Sequence, residues 1–201
     1  MKKLKVFGNY VLMASLASGV FVSCSQGESD LAGGTGAIKL SIANEEGSFT
    51  TRALNESDYK LAANYTVEVK KDGSLVAGPY KGDELPNTIT LPIATYTVSA
   101  YSGVERAASR DEFLSAGSEI VNLGSGEEKQ VRVVCQPTCG KCVVKFDSKM
   151  DEYYNDYYVE YYTKAVGTSP VKWLKADTEP WYLLVDKDGE DVKAVIHLSV
   201  K

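Results

Sequence analysis

Leu91-Pro92-Ile93-Ala94-Thr95-Tyr96-Thr97-Val98-Ser99-Ala100 is the stretch on which the fold class turns. From Thr95 onward, Tyr96, Val98 and Ala100 alternate with small hydroxyl residues. A period of two sends alternate side chains to opposite faces of a strand, so one face is expected in a core and the other in solvent. The same alternation recurs in Ile38, Leu40 and Ile42, in Tyr65, Val67 and Val69, in Ile89, Leu91 and Ile93, and in Val131, Val133 and Cys135. Gly, Asp, Asn and Pro separate these runs. Lys71-Asp72-Gly73-Ser74 has hairpin composition, with Gly73 able to take the positive φ that a tight turn demands, and Asp186-Lys187-Asp188-Gly189 repeats that chemistry. The pattern predicts no long helix and one short one, over residues 106–115.

Strands at this spacing predict an all-β chain, with a β-sandwich over residues 37–135 followed by a second small β domain over 136–201. The second region is expected to hold strands at 142–146, 157–163, 171–174, 181–185 and 192–200. About 65 residues are few for an independent core, so this half-size domain is expected to lean on its neighbour.

The amino terminus starts with Lys2, Lys3 and Lys5 and runs into a mostly apolar stretch broken by Gly8, Asn9, Ser15 and Ser18. That layout reads as a secretory signal over residues 1–23, because a spanning helix needs about 20 continuous apolar residues. Phe21-Val22-Ser23-Cys24 resembles a bacterial lipobox, with Phe21 where Leu is usual. The resemblance implies that Cys24 receives a diacylglycerol and ties the chain to a membrane. Stable attachment needs more than one acyl chain, each buried CH₂ contributing ~0.8 kcal/mol, and a lipobox cysteine meets that condition. Residues 24–36 then read as a flexible tether. Its acidic start, Ser25-Gln26-Gly27-Glu28-Ser29-Asp30, resembles the signal that sends Bacteroidetes lipoproteins to the outer face of the outer membrane. The periplasmic face is the alternative location.

Composition narrows the function classes. Of 201 residues 44% are hydrophobic, enough for a packed core. Without Lys2, Lys3 and Lys5 the 22 basic residues become 19 against 27 acidic, a net charge of −8. An acidic body with no cluster of Lys and Arg argues against nucleic acid, whose phosphates are bound by displacing counterions with clustered cations.

The cysteines Cys135, Cys139 and Cys142 invite three readings. Structural zinc needs four ligands and His197 is the single histidine. A redox Cys-x-x-Cys is activated at a helix start, whereas Cys142 runs into Val143-Val144-Lys145-Phe146. The default for an exported chain is one disulfide, with Cys139 and Cys142 as the pair and Cys135 filling the core; free buried thiols come next. No catalytic residue, metal site or cofactor is expected. His197 has no nucleophile set around it, and residues 186–191 resemble half an EF-hand loop without its flanking helices or terminal glutamate.

The most unusual segment is Tyr153-Tyr154-Asn155-Asp156-Tyr157-Tyr158-Val159-Glu160-Tyr161-Tyr162. In a strand Tyr157, Val159 and Tyr161 share one face and Tyr158, Glu160 and Tyr162 the other, so half are expected in the core. The exposed members, together with Trp181, are candidate contacts for a glycan or protein ligand: Tyr153, Tyr154, Tyr158, Tyr162 and Trp181.

Several of these pieces resemble the Bacteroidetes lipoproteins grouped as domain of unknown function 4493. They are the lipobox at Cys24, the strand Gly36-Ala37-Ile38-Lys39-Leu40-Ser41-Ile42, Thr50-Thr51-Arg52-Ala53, the opening stretch Leu91 to Ala100, and Val131-Arg132-Val133-Val134-Cys135. The resemblance implies an immunoglobulin-like or transthyretin-like sandwich, distantly fimbrillin-like. By analogy with type V pilins, Arg52 would be a processing site, against the plainer reading of an ordinary loop arginine. The leading expectation is a non-catalytic binding or adhesion module on the outer membrane. A fimbrial subunit is the alternative, and a carboxylate-based glycosidase, drawing on residues such as Asp147, Asp151, Glu152 and Asp156, comes third.

Overall fold

Tyr96, Val98 and Ala100 share one face of a ten-residue strand and are almost wholly buried, as their alternation predicts. The computed structural model describes residues 33–44, 56–186 and 188–201. The signal segment, Cys24, most of the tether and Arg52 lie outside the described residues.

The chain is all-β. Its strands are β1 (Thr35–Asn44), β2 (Thr66–Lys71), β3 (Ser74–Lys81), β4 (Ile89–Pro92), β5 (Ala94–Gly103), β6 (Ala108–Ser109) and β7 (Leu114–Leu123). There follow β8 (Glu128–Pro137), β9 (Cys139–Cys142), β10 (Tyr154–Tyr162), β11 (Val171–Leu174), β12 (Trp181–Leu184) and β13 (Lys193–Val200), with one turn of helix, α1 (Met150–Tyr153), before β10.

The first seven strands but β6, with β8, make a sheet in the order β3-β2-β5-β7-β8-β1-β4. It folds over at β8, which runs parallel to β1 through Cys135 and then pairs with β7 at Gln136 and Pro137. The fold-over sets two layers face to face. Ile38, Ile89, Leu91, Val131 and Val133 pack from one side against Val67, Val69, Tyr96, Val98 and Val121 of the other. Each fully buried aliphatic side chain contributes about 1.5–3 kcal/mol, which makes this core the main stabilising term. Ile93 is 40% exposed although the period of two placed it inward. It sits at the corner where the chain leaves β4, paired with β1, and starts β5, paired with β2 and β7. The β2–β3 hairpin turns through Asp72 at φ 49° and Gly73 at φ 79°, the two positive values of a type I′ turn.

The remaining strands form two three-stranded sheets, β11-β10-β13 and β6-β12-β9. Val159, Tyr161, Trp173 and Leu183 make their shared core, with Val144, Phe146 and Trp181 packed around it. The strands expected at 171–174, 181–185 and 192–200 match β11, β12 and β13 to within a residue.

Two expectations fail. Residues 106–115 are not helical. Ala108 and Ser109 are drawn into pairing with β12, and the Ser109 hydroxyl accepts hydrogen bonds from the Asp111 and Glu112 N–H groups, a local turn that competes with a helix. The strand expected at 142–146 instead ends at Cys142. Cys142 pairs with Trp181, so the next rung would fall on Pro180, which has no N–H to give.

The connection between β5 and β7 therefore supplies both β6 and packing groups to the carboxyl-terminal sheets. Phe113 lies 5.0 Å from the Tyr182 ring, and Arg110 stacks on Trp181 at 4.3 Å. Gly33–Lys201 forms one compact unit.

Candidate functional site

β10 is the middle strand of its sheet, so its pleat sorts the tyrosine segment between two environments. Tyr157, Val159 and Tyr161 turn inward and are buried, as expected. Tyr158, Glu160 and Tyr162 face outward. Register brings Leu174 and His197 beside Tyr158, Lys172 and Val195 beside Glu160, and Lys193 beside Tyr162.

Glu160 organises this face. Its Oε2 accepts a hydrogen bond from the Tyr162 hydroxyl at 2.9 Å and lies 3.0 Å from His197 Nε2, while Lys172 Nζ stands 3.3 Å from Oε1. The Tyr162 hydroxyl foremost, then Lys172 and His197, hold the Glu160 carboxyl below the ordinary carboxylate range. Donating that bond pushes the Tyr162 phenol up. The His197 imidazole stacks on Tyr158 at 4.4 Å and 9°, Lys172 Nζ lies 4.8 Å from the Tyr158 ring, and Lys193 Nζ lies 5.2 Å from the Tyr162 ring. A phenol hydroxyl, an imidazole and an ammonium group thus converge on one carboxylate, with the Tyr158 ring and Lys193 packed beside them.

Of the five candidate contacts, this face collects Tyr158 and Tyr162. Tyr153 is 62% exposed in α1, and Tyr154 is half-buried where β10 begins, opposite Val200. Trp181 belongs to a different sheet. Its indole N–H donates to the Lys172 carbonyl at 3.0 Å and its ring is covered by Arg110, so it works in packing. Lys172, Lys193 and His197 were not singled out as contacts from sequence, because only strand register sets them beside the tyrosines.

The expected Cys139–Cys142 disulfide is not formed; Cys135, Cys139 and Cys142 are free thiols. The two occupy the ends of β9, and three residues of extended strand span about 10 Å with the side chains on opposite faces, whereas a disulfide needs Cα atoms within about 7 Å. Burial pushes the Cys135 thiol up to about 11 and the Cys139 thiol up to about 12. Among the described residues no three metal-ligating side chains cluster, and no helix is long and apolar enough to cross a membrane.

A broad cleft of about 1020 Å³ lies between the outer side of β5 and β7 and the loops around Lys164 and Asp186. Three of its charged groups, Lys164, Asp186 and Glu190, are engaged with one another or with each other's backbone. The Lys164 ammonium pairs with the Asp186 carboxylate, and Glu190 accepts from the backbone N–H groups of both residues. These contacts hold Asp186, whose carbonyl accepts a hydrogen bond from the Gly189 N–H. The tyrosine face sets two aromatic rings, an imidazole and two ammonium groups side by side and is the better candidate.

The model of one family, the domain of unknown function DUF4493, matches residues 34–201. The chain belongs to that family. No curated protein matches it. Among solved structures the DUF4493 chain is similar to a "putative adhesin" from Bacteroides ovatus, at 11% identity and a TM-score of 0.43, covering 86% of this chain and 75% of that one. A second Bacteroides ovatus protein of the same designation aligns at 12% identity and a TM-score of 0.36, over 91% and 74% of the two chains. A DUF3823 family protein from Parabacteroides merdae aligns at 9% and 0.25, over 83% and 90%.

Proposed function

We propose that this chain is a surface lipoprotein of the outer membrane, anchored through Cys24, that acts as a non-catalytic binding module and holds a glycan against the outward face of β10. The supporting observation is the network around Glu160, which fixes Tyr158, Tyr162, Lys172 and His197 before any ligand arrives. Side chains already ordered lose little further freedom on binding, and fixed hydroxyl and ammonium donors suit the polar edges of a sugar. The same network argues against Glu160 as a catalytic acid, since that role needs a carboxyl raised toward neutrality and this one is lowered.

A glycan array probed with the full chain tests the reading. Binding is expected to fall at least tenfold in Tyr158→Ala and Tyr162→Ala and to persist in Tyr153→Ala. Unchanged binding in the first two variants would remove the site. Mass spectrometry of protein from cells tests the anchor, the expected amino terminus being an acylated Cys24.

The fimbrial reading draws support from β1. It lies between β8 and β4 and places Ile38 in the core, so a chain beginning at Ala53 would leave a strand-shaped gap for another subunit's strand. The same amino-terminal measurement decides it, because that reading requires Ala53 as the first residue.

A further inference from the structure

The sheet β11-β10-β13 ends on β13, whose second backbone edge has no partner strand among the described residues. Alternate residues of that eight-residue strand thus turn their N–H and C=O groups away from β10, open to another extended chain. Apolar side chains accompany that edge. Ile196 is 65% exposed, Leu198 47% and Val200 70%, although register sets Ile196 and Leu198 on the same side as the buried Val159 and Tyr157. They overhang the core they should join. Soluble chains usually blunt such an edge with a charge, a proline or a bulge. Over 194–200 there is no Asp, Glu, Lys, Arg or Pro, and the one irregularity in pairing with β10 falls beside Asn155, at the strand's end.

We infer that β13 is the interface of a homodimer, pairing antiparallel with β13 of a second copy across a two-fold axis at Leu198. The charge pattern excludes the register one residue away and accommodates this one. Centred on Leu198, Ile196 meets Val200 of the second copy, Leu198 meets its own equivalent, and Lys201 meets Val195. Centred on His197, Lys193 would meet Lys201, a like-charge pair that costs stability. An isologous pairing satisfies both strands with one set of contacts, which is what a two-fold axis requires. It makes a continuous six-stranded sheet.

In an antiparallel sheet directly opposed residues point to the same side, so the two outward faces would lie on one surface, with His197 of each copy near Ser199 of the other. A ligand long enough to touch both faces would then gain avidity without any new contact. The dimer stands independently of what that face binds.

Sedimentation equilibrium of the full chain, carrying Cys24→Ser so that no lipid intervenes, tests the interface. A two-fold mass is expected at about 100 μM, since an edge-to-edge contact is small and its affinity modest. Leu198→Lys is expected to give a monomer, because the axis sets two ammonium groups against each other. Leu198→Glu is expected to do the same alone, and an equimolar mixture of the two variants to return to the two-fold mass. A monomeric unmodified chain at that concentration would overturn the proposal, as would a Leu198→Lys chain that keeps the two-fold mass. Two monomeric variants that fail to combine would overturn the Leu198 register.

Discussion

Lys141 Nζ lies 2.5 Å from Glu56 Oε1, an ion pair between residues 85 positions apart, with both side chains less than a tenth exposed. The Tyr182 hydroxyl donates to the same carboxylate oxygen at 2.7 Å. One buried carboxylate thus joins the turn before β2 to β9 and β12, tying the sandwich to the carboxyl-terminal sheets.

Breaking that pair from one side is expected to be costly, because both groups are buried and the one that stays loses the attraction of the other. Glu56→Gln should lower stability by about 3–5 kcal/mol, and the double variant Glu56→Gln with Lys141→Met should recover part of that loss. Urea denaturation midpoints measure both. A double variant less stable than Glu56→Gln would contradict the account.

Glu160 makes the outward face sensitive to acid. Its folded pKa lies below the unfolded one, so its contribution to stability is complete above the ordinary carboxylate value and is lost as pH falls through the folded value. Tyr162→Phe removes the leading cause of that shift and should move the Glu160 titration to higher pH, read by carbon NMR of the carboxyl. Identical titration midpoints in the two proteins would refute the network.

The thiols should be inert while the chain is folded. With Cys139 pushed up to about 12 and Cys135 to about 11, the reactive thiolate at pH 8 is scarce, on the order of 10⁻⁴ and 10⁻³ of each population. Iodoacetamide is therefore expected to label Cys135 and Cys139 slowly in the native protein and quickly in urea. Reducing and non-reducing gels should give the same mobility. A mass 2 Da lower before reduction would reveal a disulfide that the geometry of β9 forbids within that strand.

Gly117 marks the place where β8 crosses from β1 to β7. A Cβ there would stand 2.1 Å from the Val134 carbonyl oxygen, a backbone atom that cannot step aside. Gly117→Ala is expected to destabilise by about 1–3 kcal/mol through overpacking. At Gly140 the nearest atom to an added Cβ is Val185 Cγ1 at an ordinary 3.7 Å, so Gly140→Ala should change stability by less than about 0.5 kcal/mol. Thermal unfolding of the two variants gives the comparison.

Strand existence and facing were legible wherever the period of two was clean. Val67, Val69, Tyr96, Val98, Val131 and Val133 are all core residues, and the inward and outward halves of the tyrosine segment were assigned correctly. Legibility ended at corners and at residues whose partners are distant in sequence. Ile93 continues its alternation but sits on a bend between sheets. The 106–115 segment is diverted from a helix at Ala108 and Ser109, which pair with β12 more than seventy residues away. The cysteine spacing suggested a bridge because spacing carries no information on whether the intervening backbone is coiled or extended.

The candidate site divides the same way. Tyr158 and Tyr162 could be named from the strand pattern, whereas Lys172, Lys193 and His197 come from other strands and reach the tyrosines through register alone.

What the sequence by itself determined is the all-β class, the family, most strand positions and the side of each strand that seeks the core, because those follow from local periodicity and turn chemistry. The tertiary structure alone decided which strands are neighbours, where β8 changes partner, how Glu56 meets Lys141 and which charges surround Glu160. Those contacts depend on antiparallel and parallel registers between distant segments, and a slip of one residue would turn every side chain to the other face without changing a letter of the sequence.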